Sequence, residues 1–296
     1  MIDFIRLQYK DKSTIEPFVS DSRNFEQLIT SLEYHSGEVL YPKKVSLHNV
    51  EIAVNEKCAY VKNSLHKFHN LLHGLGNQNH NDFTYSNLTD VIDCLKCNLI
   101  DLNYADITQL EFGLNIEVVK SAEIIIRENV FFHKYKAYNH NKKFKGKGEY
   151  KQYDYSNYYI KVYDKAKQYN RFNNILRFEI KFINKKEFNA LGIKHIDDLK
   201  SKENLVRLFK YLLKRFDEML IVDDLSIDKI PNDDYKKLEL YLSSNFWEKL
   251  SNRKLRNIKS KNQREFEYLL SKYNLLKTKS HLRNLLIQKF QLLINQ

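Results

Sequence analysis

The apolar residues of this 296-residue chain change their spacing once, and that change sets what the chain can fold into. Up to about residue 184, stretches such as ADITQLEFGLNIEV (105–118), NYYIKVYDKAKQY (157–169) and NILRFEIKF (174–182) alternate apolar and polar residues, the period of a strand with one buried face. From about Lys185 the apolar residues recur at helical spacing, as in ENLVRLFKYLLKRFDEML and SHLRNLLIQKFQLLINQ. Earlier in the chain, CAYVKNSLHKF (58–68) reads as a strand running into a His- and Asn-rich loop, followed by a helix capped near Ser86 or Asn87. SAEIIIRENV (121–130) opens with a Ser cap and a Glu at helix-start spacing, and the basic loop HKYKAYNHNKKFKGKGEYK follows it. This order of elements predicts an α+β domain over 1–184, an antiparallel sheet with helices on one face, and an all-helical domain over 185–296.

The charge balance points to a polyanionic partner. Lys+Arg 49 against Asp+Glu 37 gives a formal +12, which favours approach to phosphate and release of its condensed counterions, so nucleic acid comes first. An AT-rich coding bias would also enrich Lys, Asn, Tyr and Ile, so charge alone leaves the question open. No stretch approaches the roughly 20 apolar residues of a membrane span, and MIDFIRLQYKDK lacks an apolar signal core, which predicts a cytoplasmic protein with no membrane partner. Cys58, Cys94 and Cys97 are an odd number and imply no disulfide framework. The lone CxxC of Cys94 and Cys97 falls in a helical run, so buried helix thiols are expected there rather than zinc ligands.

Several residues could carry chemistry. YYIKVYDK places Tyr159, Lys161, Tyr163 and Lys165 at alternate positions, on one face of a regular strand. A phenol beside an ammonium is a coherent nucleophilic device, because the cation lowers the phenol's pKa or neutralises the phosphate it attacks. Glu111 in TQLEFGL and Glu179 in LRFEIKF are isolated carboxylates in apolar strands, costly unless paired or metal-bound. Arg177, two residues before Glu179, offers the ion-pair explanation, while hard oxygens of this kind suit Mg²⁺ or Mn²⁺. His66, His69, His73 and His80 cluster in the His- and Asn-rich loop into which the strand starting at Cys58 runs, where Asn77, Gln78 and Asn79 could contact DNA.

In this order the segments resemble the replication initiation proteins of the filamentous phage gene II type and their plasmid relatives, HUH-like tyrosine endonucleases of rolling-circle replication. The matching stretches are NSLHKFHNLLHGLGNQNHNDF, QLEF, VYDKAKQY, LRFEIKF and INKKEFNALGIKHIDDL, together spanning about residues 1–200. The resemblance implies a ferredoxin-like antiparallel sheet as the nicking domain and a helical C-terminal domain that grips origin duplex. It implies an enzyme that cleaves one strand, leaving a covalent 5′-phosphotyrosine and a free 3′-OH, with Mg²⁺ or Mn²⁺ as cofactor. Its partners would be single-stranded and origin duplex DNA, with a host helicase and polymerase. Tyr163 matches the nucleophile and Lys165 the auxiliary cation, with Tyr150, Tyr153 and Tyr155 as alternative nucleophiles. Glu111 and Glu179, with His73 or His80, would be the metal ligands. Gln109, Lys161, Arg177, Lys67, Lys142, Lys143, Lys145 and Lys147 would contact DNA. Gln109 stands where the family usually has Arg, Gln168 where Glu is common, and a His-hydrophobic-His triplet is absent. These departures keep two other readings open: a non-catalytic nucleic-acid-binding protein of the same fold, and a relaxase or transposase using the same chemistry.

Overall fold

The computed structural model describes residues 1–142, 144, 146–225 and 229–296. Its strands are β1 (Ile2–Tyr9), β2 (Ile29–Leu32), β3 (Val39–Leu47), β4 (Val50–Val54), β5 (Ala59–Ser64), β6 (Asp106–Glu117), β7 (Val130–His133), β8 (Tyr150–Asp154), β9 (Tyr158–Asp164), β10 (Ile175–Phe182) and β11 (Met219–Ile221). Its helices are α1 (Glu16–Ser20), α2 (Leu65–Leu72), α3 (Tyr85–Asn98), α4 (Ala122–Ile124), α5 (Lys165–Gln168), α6 (Lys185–Asn189), α7 (Lys202–Asp217), α8 (Asn232–Leu242), α9 (Ser244–Lys249), α10 (Arg256–Lys272) and α11 (Lys277–Asn295). Nine strands form one antiparallel sheet in the order β2-β3-β4-β5-β1-β6-β10-β9-β8, and β11 pairs with β7 separately. β5 and β6 flank β1 on either side, so the chain crosses over between them through α2 and α3.

The period-two pattern explains which face is covered. Leu110, Phe112 and Leu114 of β6, Ile160 and Val162 of β9, and Phe178, Ile180 and Phe182 of β10 are all buried in one continuous core. α7 and α11 lie over them: the Phe112 ring sits 6.5 Å from Phe290, Phe178 lies 5.3 Å from Phe216, and Phe209 stacks on Phe290 at 4.1 Å. Each such phenylalanine, fully buried, contributes roughly 1.5–3 kcal/mol of transfer free energy.

The α+β class with a large antiparallel sheet and C-terminal helices agrees with expectation, but several details differ. The sheet is broader than a ferredoxin-like one, because the β2–β4 meander extends it beyond β5. The division at 184/185 is not respected by packing: α7 and α11 belong to the sheet's own core, since a half-apolar sheet must be covered and these amphipathic helices cover it. A second core gathers Leu238, Tyr241, Trp247 and Phe266 of α8 to α10, and it includes Phe132 of β7 and Leu220 of β11. The last third is therefore not all-helical.

Local readings also shift. The expected loop after β5 begins as helix, because Ser64 caps α2 by accepting from the Lys67 N–H, which places His66 and His69 on that helix. Thr84, not Ser86 or Asn87, caps α3, with Asn87 completing the reciprocal pair of bonds. The segment at 121–130 is helical only over α4, then makes a π-helical turn through Ile125–Asn129 into β7. Of the CxxC thiols Cys94 is half-buried, but Cys97 is exposed, and all three cysteines are free.

Candidate active site

On the face of β6, β10, β9 and β8 opposite the helices, cross-strand register arranges the polar residues in three rows. Asn115, Arg177, Tyr163 and Tyr150 form one; Gly113, Glu179, Lys161 and Gln152 the next; Glu111, Lys181, Tyr159 and Asp154 the third. Gly113 is required where it stands. A Cβ there would lie 2.8 Å from the Phe178 carbonyl oxygen and 2.9 Å from both Cα and Cβ of Glu179, so only glycine lets β6 approach β10 this closely at Glu179.

Asp3, at the start of β1, joins this face from the other side of β6. Asp3, Glu111 and Glu179 each present a carboxylate oxygen within 4.8 Å of the others. Cations already hold them: Lys161 Nζ lies 2.7 Å from Glu179 and 3.3 Å from Glu111, Lys181 2.8 Å from Glu111, and Arg177 2.7 Å from Glu179 and 3.4 Å from Asp3. Asp3 also accepts from Ser64 Oγ at 2.5 Å and from Asn79 Nδ2 at 2.6 Å.

The charges follow from this wiring. Burial alone would raise the Asp3 carboxyl, but Arg177, then Lys165 and the Ser64 hydrogen bond, outweigh it and hold it well below the usual carboxylate range. Burial likewise works against the Glu179 anion, yet Lys161 and Arg177 bring it down to about 2. Burial disfavours the Lys161 ammonium, and Glu179 and Glu111 more than compensate, keeping it firmly protonated.

The phenols differ in access. Tyr163 is 6% exposed, roofed by Phe144 and Tyr150 with ring centroids 5.1 and 6.0 Å away, and its Oη donates to Glu179 at 3.2 Å. Burial and then the Glu179 charge push its phenol well above the ordinary value. Tyr150 lies beside it on the edge strand β8, half-buried, stacked on Phe144 and donating to Gln152. Burial raises the Tyr150 phenol to about 12, with the Lys161 charge pulling the other way. Tyr153 faces the core and donates to the Phe131 carbonyl at 3.3 Å, and Tyr155 is bonded to His133, so neither meets the carboxylates.

Lys165 is not on the strand. Asp164 caps α5 by accepting from the Lys167 N–H, and Lys165 is its first residue, 1% exposed, donating to Asn79 Oδ1 at 2.7 Å. Burial, then the Arg177 charge, lowers its amine to about 7. His73 and His80 do not join the carboxylates. α2 runs to Leu72 and leaves His73 exposed at its C-cap, its ring 4.4 Å from His69. The His80 ring packs at 5.2 Å from Tyr169, while it is the preceding Asn79 that reaches Asp3.

Of the expected DNA contacts, Arg177 is buried and committed to Glu179, Asp3 and Asn115, and Lys161 to its two glutamates, so both are structural ion pairs as they stand. Lys67 on α2 and Gln109 on β6 are half-buried, and Lys142 and Lys147 are exposed in the loop before β8. Lys143 and Lys145 lie outside the described residues.

Comparison with known proteins gives one likeness to report. The structure is similar to that of a rolling circle replication initiator protein from Geobacillus stearothermophilus, over 77% of this chain and 88% of that one, with a TM-score of 0.40 and 12% identity. That likeness is one of outline, too loose to carry residue assignments. No family model matches the sequence, and no curated protein matches it. Among the described residues no helix is long and apolar enough to cross a membrane.

The three carboxylates fit a hard divalent ion in donor type and spacing, with one condition. Lys161 Nζ occupies the place between Glu111 and Glu179, and an ion bound to both would have to displace it. Asp3 is the member that sequence reading missed. The signal was present: it is an isolated carboxylate in the alternating strand MIDFIRLQY, the same anomaly that marked Glu111 and Glu179.

Proposed function

We propose that this chain nicks one DNA strand by tyrosine transesterification to start rolling-circle replication of a phage or plasmid, with Tyr150 as the attacking phenol. The observation that carries the reading is a pair of phenols, Tyr150 and Tyr163, set beside a lysine and three clustered carboxylates on the face of the sheet opposite α7 and α11. The ordered motifs of the gene II type support it independently. Access favours Tyr150 over Tyr163: it sits half-buried on the edge strand, whereas Tyr163 is roofed over and donates to the buried Glu179.

In the proposed reaction Tyr150 loses its proton to solvent as Oη attacks the scissile phosphorus. The bond to the 3′ oxygen breaks, that oxygen takes a proton from water, and the 5′ phosphate stays on the tyrosine. Lys161 stabilises the phenolate; Tyr163 and Phe144 pack the Tyr150 ring and hold its direction. Asp3, Glu111 and Glu179 would hold Mg²⁺ or Mn²⁺, which when bound neutralises charge on the scissile phosphate. Lys142 and Lys147 draw the single strand to this face by charge. The second core and its helices would meet origin duplex, and a host helicase and polymerase would use the free 3′-OH.

The test is incubation with single-stranded fragments of the protein's own replicon in Mn²⁺, with the covalent adduct seen on a denaturing gel and mapped by mass spectrometry. An adduct on Tyr150 that Tyr150→Phe abolishes and Tyr163→Phe only slows is the expected result. An adduct on Tyr163 keeps the function and moves the nucleophile. A non-catalytic DNA-binding protein is the second reading, favoured by the fact that Lys161, Lys181 and Arg177 already neutralise the three carboxylates. DNA binding without any adduct would select it.

A further inference from the structure

On β1, beside β6 and on the face that carries the carboxylates, Arg6 is a cation left without an anion among the described residues. Arg6 of β1 lies directly opposite Gln109 of β6, the position two residues before Glu111, so it shares the face of the candidate site. The neighbouring cations on this face are committed: Lys62 to Glu51 at 2.9 Å, Lys181 to Glu111, Lys161 to Glu179 and Glu111. Arg6 has no carboxylate partner among the described residues, and its Nε lacks any hydrogen-bond partner. Its guanidinium instead lies over the Tyr60 ring of β5, 3.8 Å from the centroid. Gln8, opposite Tyr60 across the ladder, donates to the Tyr60 hydroxyl at 3.4 Å and fixes the ring. The Gln109 side chain is half-buried beside them.

An aromatic ring held flat, an uncompensated planar cation stacked on it and an amide alongside are the parts that bind a nucleotide. The ring and guanidinium present π-faces to a base, and the guanidinium presents N–H donors to a phosphate. Duplex DNA keeps its bases stacked on each other and has none to offer the ring. We infer that Tyr60, Arg6 and Gln109 form a subsite for single-stranded DNA, holding a nucleotide of the strand that passes over the carboxylates. The inference rests on the nicking reading for which strand is held, but its residues take no part in the chemistry.

The experiment measures binding of a fluorescent oligothymidine to the full chain across a series of salt concentrations, alongside adduct formation on replicon single strands. Tyr60→Leu weakens binding about tenfold without changing the salt slope, because stacking is lost and no phosphate contact is. Tyr60→Phe restores the affinity, separating the ring from its hydroxyl. Arg6→Gln lowers the slope of log K against log salt by about 0.7, one single-strand phosphate contact, and Arg6→Lys restores the slope. Thermal melting of each variant verifies that the sheet is intact, and the phenylalanine and lysine variants keep the test decisive if the harsher ones unfold. Unchanged binding in Tyr60→Leu and Arg6→Gln, with adduct still formed, overturns the subsite and leaves the nicking reading standing. Equal weakening for duplex and single strand overturns the single-strand assignment. Failure of the wild-type chain to bind any single strand brings down the nicking reading and the subsite together.

Discussion

The two faces of β6, β9 and β10 are made by the same residues in alternation, yet they have opposite properties. One face, Phe112, Leu114, Ile160, Val162, Phe178 and Ile180, is apolar and sealed by α7 and α11. The other, Glu111, Asn115, Lys161, Tyr163, Arg177 and Glu179, is polar, and its charges are matched almost one for one. The first face folds the sheet. The second is held in place by the first and by its own ion pairs, which is an expensive arrangement for structure alone: buried ion pairs are often no more stable than the apolar residues that could replace them. That contrast is the strongest structural argument that the polar face is kept for chemistry.

The contrast can be broken first from the sealed side. Phe112→Ala opens a cavity against Phe290 and is expected to cost about 4 kcal/mol in chemical denaturation. Adduct yield per folded molecule stays near wild type. If instead activity falls while stability holds, the division of labour between the faces is wrong. Arg177→Met tests the polar side next. It leaves Asp3 and Glu179 without their shared cation in a buried setting, at an expected cost of about 3 kcal/mol at neutral pH. A cost below that of an ordinary surface substitution would mean that Arg177 is not the brace of this face.

The pH dependence sharpens the same point with a smaller effect. Glu179 in the folded chain is brought down from 4.5 to about 2, so its contribution to stability is fully present above pH 4.5 and is lost as pH falls toward 2. Asp3, also held low, acts in the same direction. Unfolding free energy should therefore drop through that acid window, by on the order of 2 kcal/mol for the pair after allowance for their coupling. In Arg177→Met the drop is shallower, because the carboxyls have already lost their main reason to stay ionised. A wild-type profile flat from pH 4.5 to 2.5 would contradict the wiring.

Much of the polar face was legible in the sequence because it depends on period two alone. Glu111, Lys161, Tyr163, Arg177 and Glu179 each interrupt an apolar strand at alternate positions, and the structure brings all five together. What failed depends on topology. Asp3 reaches Arg177 across 174 residues of chain, and only the insertion of β1 between β5 and β6 makes them neighbours. The histidines looked like ligands because they are dense in sequence, but His73 ends up exposed at the C-cap of α2 and the His80 ring packs on Tyr169. Lys165 follows the strand's alternation in sequence, yet the Asp164 cap turns the chain into α5 at that residue. The boundary at 184/185 marked a real change of periodicity, while packing followed the need to cover the sheet and drew α7 and α11 into its core.

Tyr150→Phe has the smallest expected effect on stability and the most to say about the polar face. Removing the hydroxyl breaks one partly exposed hydrogen bond to Gln152 and leaves the stack on Phe144 in place, so unfolding free energy should change by about 0.5 kcal/mol. Tyr163→Phe, by contrast, removes a donor to the buried Glu179, which then relies on Lys161 and Arg177 alone, and should cost about 1 kcal/mol. The two substitutions thus rank one way in stability, and the nicking proposal ranks them the other way in adduct formation, where Tyr150→Phe is null and Tyr163→Phe is only slower. If both measurements rank them alike, with Tyr163→Phe the worse in each, the buried phenol is the reacting one, and Phe144 with Tyr150 must move aside to admit the scissile phosphate.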